Sequence, residues 1–282
     1  MLSAQVHKTN ESGSEAWHLC HSSCTLLDAG TLESWLSEIK TWMDRNTNDV
    51  VTVLIVNSDN ATPSELGTIF TSSGIDKLAY TPPSPSTIPT TWPTLDRLIG
   101  NNTRLMSFIT PLGSPSTEYP FLMDQYAFMF ENNFENTSPT NYSCNPNRPT
   151  NLRGDPAAAL QSNRMFIMNH FLYDDSLFGI QVTNVTYAAT TNAETGLGSL
   201  GVAVRNCTGV YGKPPTYVMV DWFNMGPAIQ SVDAANGVSD ATGRKRVSTE
   251  ALTQQSTGGG ARQQGSMVAV VVALVGAVAF AA

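Results

Sequence analysis

The sequence predicts an α/β protein built as a barrel of parallel strands, on three observations. Strand-like and helix-like segments alternate along the chain, as parallel strands joined by crossover helices require. Val50 to Val56 (VVTVLIV) is a continuous β-branched run of the kind that fills a strand covered on both faces. The 282 residues, 41% of them hydrophobic, can bury a full core, and α/β barrels of roughly 250 residues commonly fold as one domain.

The elements follow in order. After LLDAG, Thr31 is a predicted N-cap, and apolar residues at Leu32, Trp35, Leu36, Ile39, Trp42 and Met43 recur at spacings of three and four, which predicts an amphipathic helix. The linker RNTND leads into the Val50–Val56 strand. Further strands are predicted at Arg104 to Ile109, Tyr126 to Phe130, Met165 to Asn169 and Tyr217 to Asp221, separated by proline- and asparagine-rich loops and short helices. In such barrels the active site is built at the C-terminal ends of the strands. The candidate site residues are therefore Asn57 and Asp59, Asn169 and His170, and Asp221 with Trp222. From about Gly237 periodicity gives way to a Ser-, Thr-, Gly- and Gln-rich stretch that reads as a stalk. The expected organisation is a domain over 1–236, a stalk over 237–266 and an apolar tail over 267–282.

Composition narrows the function classes. Only 13% of residues are charged and the net charge is −8, so no basic surface is available for nucleic acid. Seven Asn-x-Ser/Thr sequons, at Asn10, Asn60, Asn101, Asn136, Asn141, Asn184 and Asn206, favour the secretory pathway. Cys20, Cys24, Cys144 and Cys207 are an even set suited to two disulfides in an oxidising compartment, and their spacing is unlike a zinc pattern. Cys20 with Cys24 and Cys144 with Cys207 is the expected pairing; other pairings and four buried thiols stay open.

The two ends carry targeting information. Met267 to Ala282 is an uncharged apolar run of 16 residues, shorter than the roughly 20 that span a bilayer. Upstream, Ser256, Thr257 and Gly258 are small and are followed by a polar spacer, Gly259 to Ser266. This is the layout of a glycosylphosphatidylinositol attachment signal, with Ser256 and Gly258 as competing sites and a retained tail-anchor helix as the alternative. The start, MLSAQVHKTNESGSEAW, has no apolar stretch typical of a secretory leader, so a natural product beginning further upstream is expected. A literal G-x-G-x-x-G at Gly196 to Gly201 (GLGSLG) is discounted as a dinucleotide motif, because a polar loop precedes it and VAV follows where a strand and a helix are needed.

The segment that points to chemistry is WHLCHSSCTLLDAG, Trp17 to Gly30, with the helix and the VVTVLIVNSD strand behind it. It resembles the X-domain of phosphatidylinositol-specific phospholipase C, in particular the fungal phospholipase C-like phosphodiesterases. The likeness continues through MNHFL at Met168 to Leu172 and YVMVDWFNMG at Tyr217 to Gly226. The resemblance implies an irregular TIM-type (β/α) barrel and a phosphoric diester hydrolase acting on a phosphoinositide or another phosphodiester. It implies a monomer held at the membrane surface through the lipid anchor.

In such a reaction an inositol hydroxyl attacks the neighbouring phosphodiester, one histidine takes its proton and a second protonates the departing alkoxide. The resemblance places the acid at His21 and a carboxylate that orients the base at Asp221, with His18 as the alternative to His21. Asn57, Asp59, His170 and Trp222 are then candidates for contact with substrate. The family's Ser-His-Asp or Ser-His-Asn motif does not occur in the sequence, and LSAQVH stands where the family has its second strand. The first strand and the base histidine are thus expected to be missing. Ser3 and Gln5 replace the acids or arginine of that second strand, so no calcium ligand set is found; Asn57 and Asp59 could still hold a divalent cation or inositol hydroxyls. The competing expectation is an inert surface glycoprotein with the same fold.

Overall fold

The computed structural model describes residues 1–11, 14–20, 24–25, 28–174 and 182–249. The described residues cluster into two compact units, Met1–Asn132 with Asn145–Ile167, and Asn133–Cys144 with the chain from Met168 onward. His21, Ser256, Gly258 and the apolar tail lie outside the described residues.

The first unit opens with an antiparallel pair, β1 (Leu2–Glu11) and β2 (Ser14–Cys20), in which Val6 faces Leu19 and His7 faces His18. β3 (Asp28–Thr31) pairs with β2, and helix α1 (Leu32–Arg45) starts on the Thr31 cap, whose hydroxyl accepts from the Ser34 N–H at 3.1 Å. β4 (Val51–Asn57) then returns beside β1 in parallel, from Leu2 opposite Val53 to Val6 opposite Asn57. Helix α2 (Pro63–Ser72), closed at its start by a Thr62–Glu65 capping box, and the short α3 (Leu95–Gly100) lead to β5 (Leu105–Thr110), with β6 (Leu122–Asp124) beyond it. The sheet order is β3-β2-β1-β4-β5-β6, and β1, β4, β5 and β6 are parallel.

Alternation along these strands separates two faces. Val6, Val53 and Ile55 join Leu32, Leu36, Ile39 and Met43 of α1 and Leu66 and Phe70 of α2 in one core. Each such side chain contributes roughly 1.5–3 kcal/mol on burial. Trp42, expected in this stripe, is 48% exposed, because the buried face of α1 runs through Leu32, Leu36, Ile39 and Met43. Arg104, just before β5, is buried and donates from Nη1 to the carbonyls of Met43, Asn46 and Asp49 at 3.0–3.2 Å. It satisfies acceptors that the end of α1 leaves open.

The strand predicted over Tyr126–Phe130 begins instead as a helical turn, α4 (Gln125–Phe128), capped by Asp124, and becomes β7 (Met129–Asn132) only afterwards. A short apolar run fits either state, and the cap decides. β7 pairs antiparallel with β8 (Pro146–Arg148) and parallel with β9 (Met165–Asn169), which follows helix α5 (Pro156–Gln161). Ladder hydrogen bonding therefore does not run from β6 into β7. The described strands form separate sheets in a mixed α/β arrangement, and no closed ring of strands is present among them.

The second unit holds the β10 (Tyr173–Asp174) and β11 (Val182–Thr183) pair, helices α6 (Ala188–Thr191) and α7 (Leu200–Tyr211), strand β12 (Tyr217–Met219) and helix α8 (Ala228–Ala235). The Cys144–Cys207 disulfide ties α7 to the segment before β8, and the Tyr211 hydroxyl donates to the Cys144 carbonyl at 2.6 Å. Cys20 and Cys24 form the other disulfide, in the first unit. Both pairings are the expected ones. A helix, α7, does start at the end of GLGSLG, contrary to the reading of VAV, but the element immediately before it is the helix α6 and not a strand. A side chain at Gly201 would overlap the Glu194 backbone, and one at Gly198 would overlap Pro139. The glycines serve close packing.

Candidate functional site

Two groups of polar side chains stand apart from the core, one in each unit. In the first unit, the β1 residues that alternate with Val6 present Gln5 and His7 on the opposite face. His7 lies one residue past the last β1–β4 pair, so the loop after β4 reaches it. Gln5 Nε2 donates to Ser58 Oγ at 2.7 Å, and His7 Nδ1 lies 3.1 Å from Asp59 Oδ1. The second Asp59 oxygen accepts the Lys8 backbone N–H at 2.8 Å. Directly across the β1–β2 ladder, His18 repeats the arrangement. Its Nδ1 lies 2.8 Å from Asp28 Oδ2, while Asp28 Oδ1 accepts the Gly30 backbone N–H at 2.8 Å. Gly30 has φ of +96°, a conformation that glycine adopts without strain.

An ionised carboxylate only accepts, so each imidazole donates from Nδ1, and the Nε2 of a neutral ring is then an acceptor. His7 Nε2 is shielded from solvent and has no hydrogen-bond partner among the described residues. The arrangement can take protons or accept hydrogen bonds from hydroxyl groups. Sequence reasoning missed His7 and Asp28. The available signal was the polar alternation of Ser3, Gln5 and His7 against Leu2, Ala4 and Val6.

The second unit carries Asp221 and Trp222. The strand predicted to Asp221 ends at Met219, whose carbonyl accepts the His170 N–H at 2.8 Å. The chain then turns through Trp222 at φ +50°, an outlying backbone conformation for a bulky residue. Asn192 holds the turn, its Nδ2 lying within 2.9–3.1 Å of the Asp221, Trp222 and Met225 carbonyls. At Gly226, φ +77°, any side chain would meet the Ala189 carbonyl, so the turn packs tightly on α6. Asn192 is a third residue that sequence reasoning missed, since nothing local distinguishes it from other loop asparagines.

Within that turn the Asp221 carboxyl is 7% exposed and neither oxygen has a hydrogen-bond partner among the described residues. Burial pushes it up to about 8, so it holds its proton near neutrality. Trp222 Nε1 is likewise buried and unpartnered. Burial, with the Asp221 charge adding, holds the Tyr142 phenol well above its usual range.

His170 and Asn57, both candidates for contact with substrate, are hydrogen-bonded within the protein. His170 is 1% exposed, stacked on Tyr142 with ring centroids 4.0 Å apart, and its Nε2 lies 3.1 Å from both the Thr191 and the Gly198 carbonyls. Two carbonyl acceptors require an N–H on Nε2, and burial pulls the ring down to about 4, so it is neutral. Asn57 closes the loop after β4, donating to the Ala61 and Pro111 carbonyls and accepting from the Ala61 N–H at 2.7–3.0 Å. Its amide is spent within the protein. Asp59 faces His7 rather than Asn57, so the two are not arranged as a shared cation site. Among the described residues no group of three or more His, Cys, Asp or Glu side chains could hold a metal ion. The sequon residue Asn136 is buried and donates to the Asn133 carbonyl, so in this fold its amide is closed to a glycan.

The family model PI-PLC X 1 matches residues 1–236. The chain is 33% identical over 238 residues to PI-PLC X domain-containing protein 1 of Arthroderma benhamiae, covering 84% of this chain and 74% of that protein. It is 36% identical over 235 residues to an uncharacterized secreted protein of the same organism, covering 82% of this chain and 51% of that protein. No solved structure matches at a significant level. Among the described residues no helix is long and apolar enough to cross a membrane.

Proposed function

Because this chain belongs to the PI-PLC X domain family, we propose that it is a phosphoric diester hydrolase of the phospholipase C type, acting on an inositol-containing phosphodiester outside the cell. The reaction is attack of an inositol hydroxyl on the adjacent phosphorus, giving a cyclic phosphate and a free alcohol. His21 is the acid that protonates the departing oxygen, and Asp221 the carboxylate that orients a histidine base. His21 follows β2 directly and is enclosed in the ring closed by the Cys20–Cys24 disulfide. Residues 1–236 make the catalytic domain, an irregular TIM-type barrel. The stalk ends in an anchor site at Ser256 or Gly258, before an apolar tail that is removed.

The observation that carries this reading is Asp221. A buried carboxyl with no donor at either oxygen is destabilising, and a strained Trp222 beside it adds to the cost. Such a pair serves chemistry better than packing. An imidazole N–H brought to the carboxyl would supply the missing donor and draw it back to the charged form. The secreted relative and the seven sequons support an extracellular site of action.

The test is release of cyclic inositol phosphate from phosphatidylinositol vesicles by the full-length protein, compared with His21→Ala and Asp221→Asn. Both variants are expected to lose at least about 10²-fold in turnover. Equal rates in wild type and His21→Ala would remove His21 from the mechanism. A folded wild type without turnover on phosphatidylinositol or glycan-phosphatidylinositol would favour an inert surface glycoprotein instead.

A further inference from the structure

We propose that the Arg246–Val247 bond is a processing site, cut by a secretory-pathway serine endoprotease that reads paired basic residues. The cut frees the folded domain from its C-terminal tail; this rests on the extracellular routing and tail anchor proposed above. The sequence singles out the place. Of the fifteen Lys and Arg residues, Arg244, Lys245 and Arg246 are adjacent, and no others are neighbours in the chain. They lie beyond α8, between the folded domain and the candidate attachment residues Ser256 and Gly258.

From Gly237 to Thr249 the chain forms no helix or strand, and every residue is exposed. An endoprotease takes its substrate as an extended, accessible segment of several residues, which this stretch supplies. The segment is tied down on either side of the bond. Before it, the Arg244 guanidinium is held by both Asp233 carboxylate oxygens on α8, one of them at 2.9 Å. After it, the Ser248 carbonyl accepts from Asn224 Nδ2 at 2.9 Å. Surface contacts of this kind open by local fluctuation while the domain stays folded.

The ties also choose the bond. Two basic pairs overlap, Arg244 with Lys245 and Lys245 with Arg246. The first has one side chain taken by Asp233, whereas neither Lys245 nor Arg246 has a hydrogen-bond or ion-pair partner among the described residues. A protease with two acidic pockets therefore meets Lys245 and Arg246 free to enter them through charge-assisted hydrogen bonds. Cleavage adds one water across the bond. The enzyme's serine hydroxyl attacks the Arg246 carbonyl carbon, the Val247 nitrogen leaves as a free amine, and water releases Arg246 from the acyl-enzyme as a carboxylate. Residues 1–246 keep α8 and the Asp221 turn, and residues 247–282 carry away the candidate anchor.

The experiment exposes purified full-length protein to a serine endoprotease that requires paired basic residues, and reads the products by intact mass and terminal peptides. A first cut after Arg246 is expected, with residues 1–246 persisting as one fragment. Lys245→Ala and Arg246→Ala should each slow that cut on the order of 10²-fold or more, because a pocket built for a polar partner is left unpaired. Arg244→Ala and Asp233→Asn should be cut at least as fast as wild type, since each releases a tie and leaves the second pair intact. In secreting cells, wild type should appear in the medium ending at Arg246, and the Lys245→Ala, Arg246→Ala double variant should stay with the membrane.

A full-length protein left intact under conditions that cut a peptide of residues 238–252 would overturn the inference. So would a first cut elsewhere, or wild type from secreting cells whose chain extends past Arg246. Wild type and double variant both in the medium, with wild type ending at Arg246, would remove the anchor and keep the cut. Turnover on phosphatidylinositol is read separately. A cut after Arg246 in a protein without turnover leaves the processing site standing and overturns the hydrolase, and turnover in a protein that resists the endoprotease does the reverse.

Discussion

The two units use the same residue types in opposite ways. In the first, His7 and His18 lie near the surface, and each has a carboxylate on Nδ1. In the second, His170 and Asp221 are almost fully buried: the histidine Nε2 lies against two carbonyls and its ring is stacked on Tyr142, and the carboxyl meets no donor among the described residues. Burial decides the difference. A histidine near the surface beside a carboxylate keeps a charged partner; one buried between carbonyls is held neutral. A carboxyl buried without a donor is protonated until something brings it a partner.

The largest expected effect is therefore at Asp221. Its folded value, about 8, lies above the unfolded 3.8, so between those values the folded state binds more protons than the unfolded state. Its contribution to stability is full below pH 3.8 and is lost as pH rises to 8, on the order of 5 kcal/mol across the window. Asp221→Asn, which cannot ionise in either state, is expected to be more stable than wild type at pH 8 and less active. Denaturant unfolding at pH 5 and pH 8 checks this, and an unchanged pH slope would show that Asp221 already has a charged or donating partner.

Disulfides sharpen the same contrast. Cys144–Cys207 closes a span of 63 residues and Cys20–Cys24 one of 4, so the chain-entropy difference alone assigns about 4 kcal/mol to the first and about 2 to the second. Cys144→Ser with Cys207→Ser should thus destabilise more than the Cys20, Cys24 double variant in matched denaturation curves. The smaller ring, enclosing His21, should show its loss in turnover instead.

His170 gives the opposite slope to Asp221. Its folded value, about 4, lies below the unfolded 6.5, so its contribution is complete above 6.5 and falls as pH drops to 4, by roughly 3 kcal/mol. Between pH 4 and 6.5 the two groups offset one another. His170→Gln should leave the Asp221 fall unopposed, so that stability declines with pH from about 4 upward, and a double variant with Asp221→Asn should remove both slopes.

What was legible in the sequence was local. Thr31 before a stripe at helical spacing, and a β-branched run at Val50 to Val56, announce α1 and β4 because cap and side-chain preferences act within a few residues. His7 and Asp59 are 52 residues apart in sequence, and Asn192 reaches the Asp221 turn across 29, so each pairing exists only once the sheet register and the loop positions are set. Asn57 and His170 were flagged by their position after strands, which cannot distinguish an amide that faces substrate from one that closes its own loop. Asp221 was legible for a physical reason: a carboxylate ending an apolar run needs a partner wherever the chain puts it.

The smallest expected effect is the one that most separates the units. The His7–Asp59 and His18–Asp28 pairs are partly exposed, with Asp59 at 40%, so solvent screens them and each contributes about 1 kcal/mol or less. His7→Gln and Asp59→Asn should leave the unfolding midpoint within a few degrees of wild type. A midpoint drop well beyond a few degrees would instead make the pair part of the scaffold, and the contrast between a carboxylate-held histidine face and a carbonyl-held one would disappear.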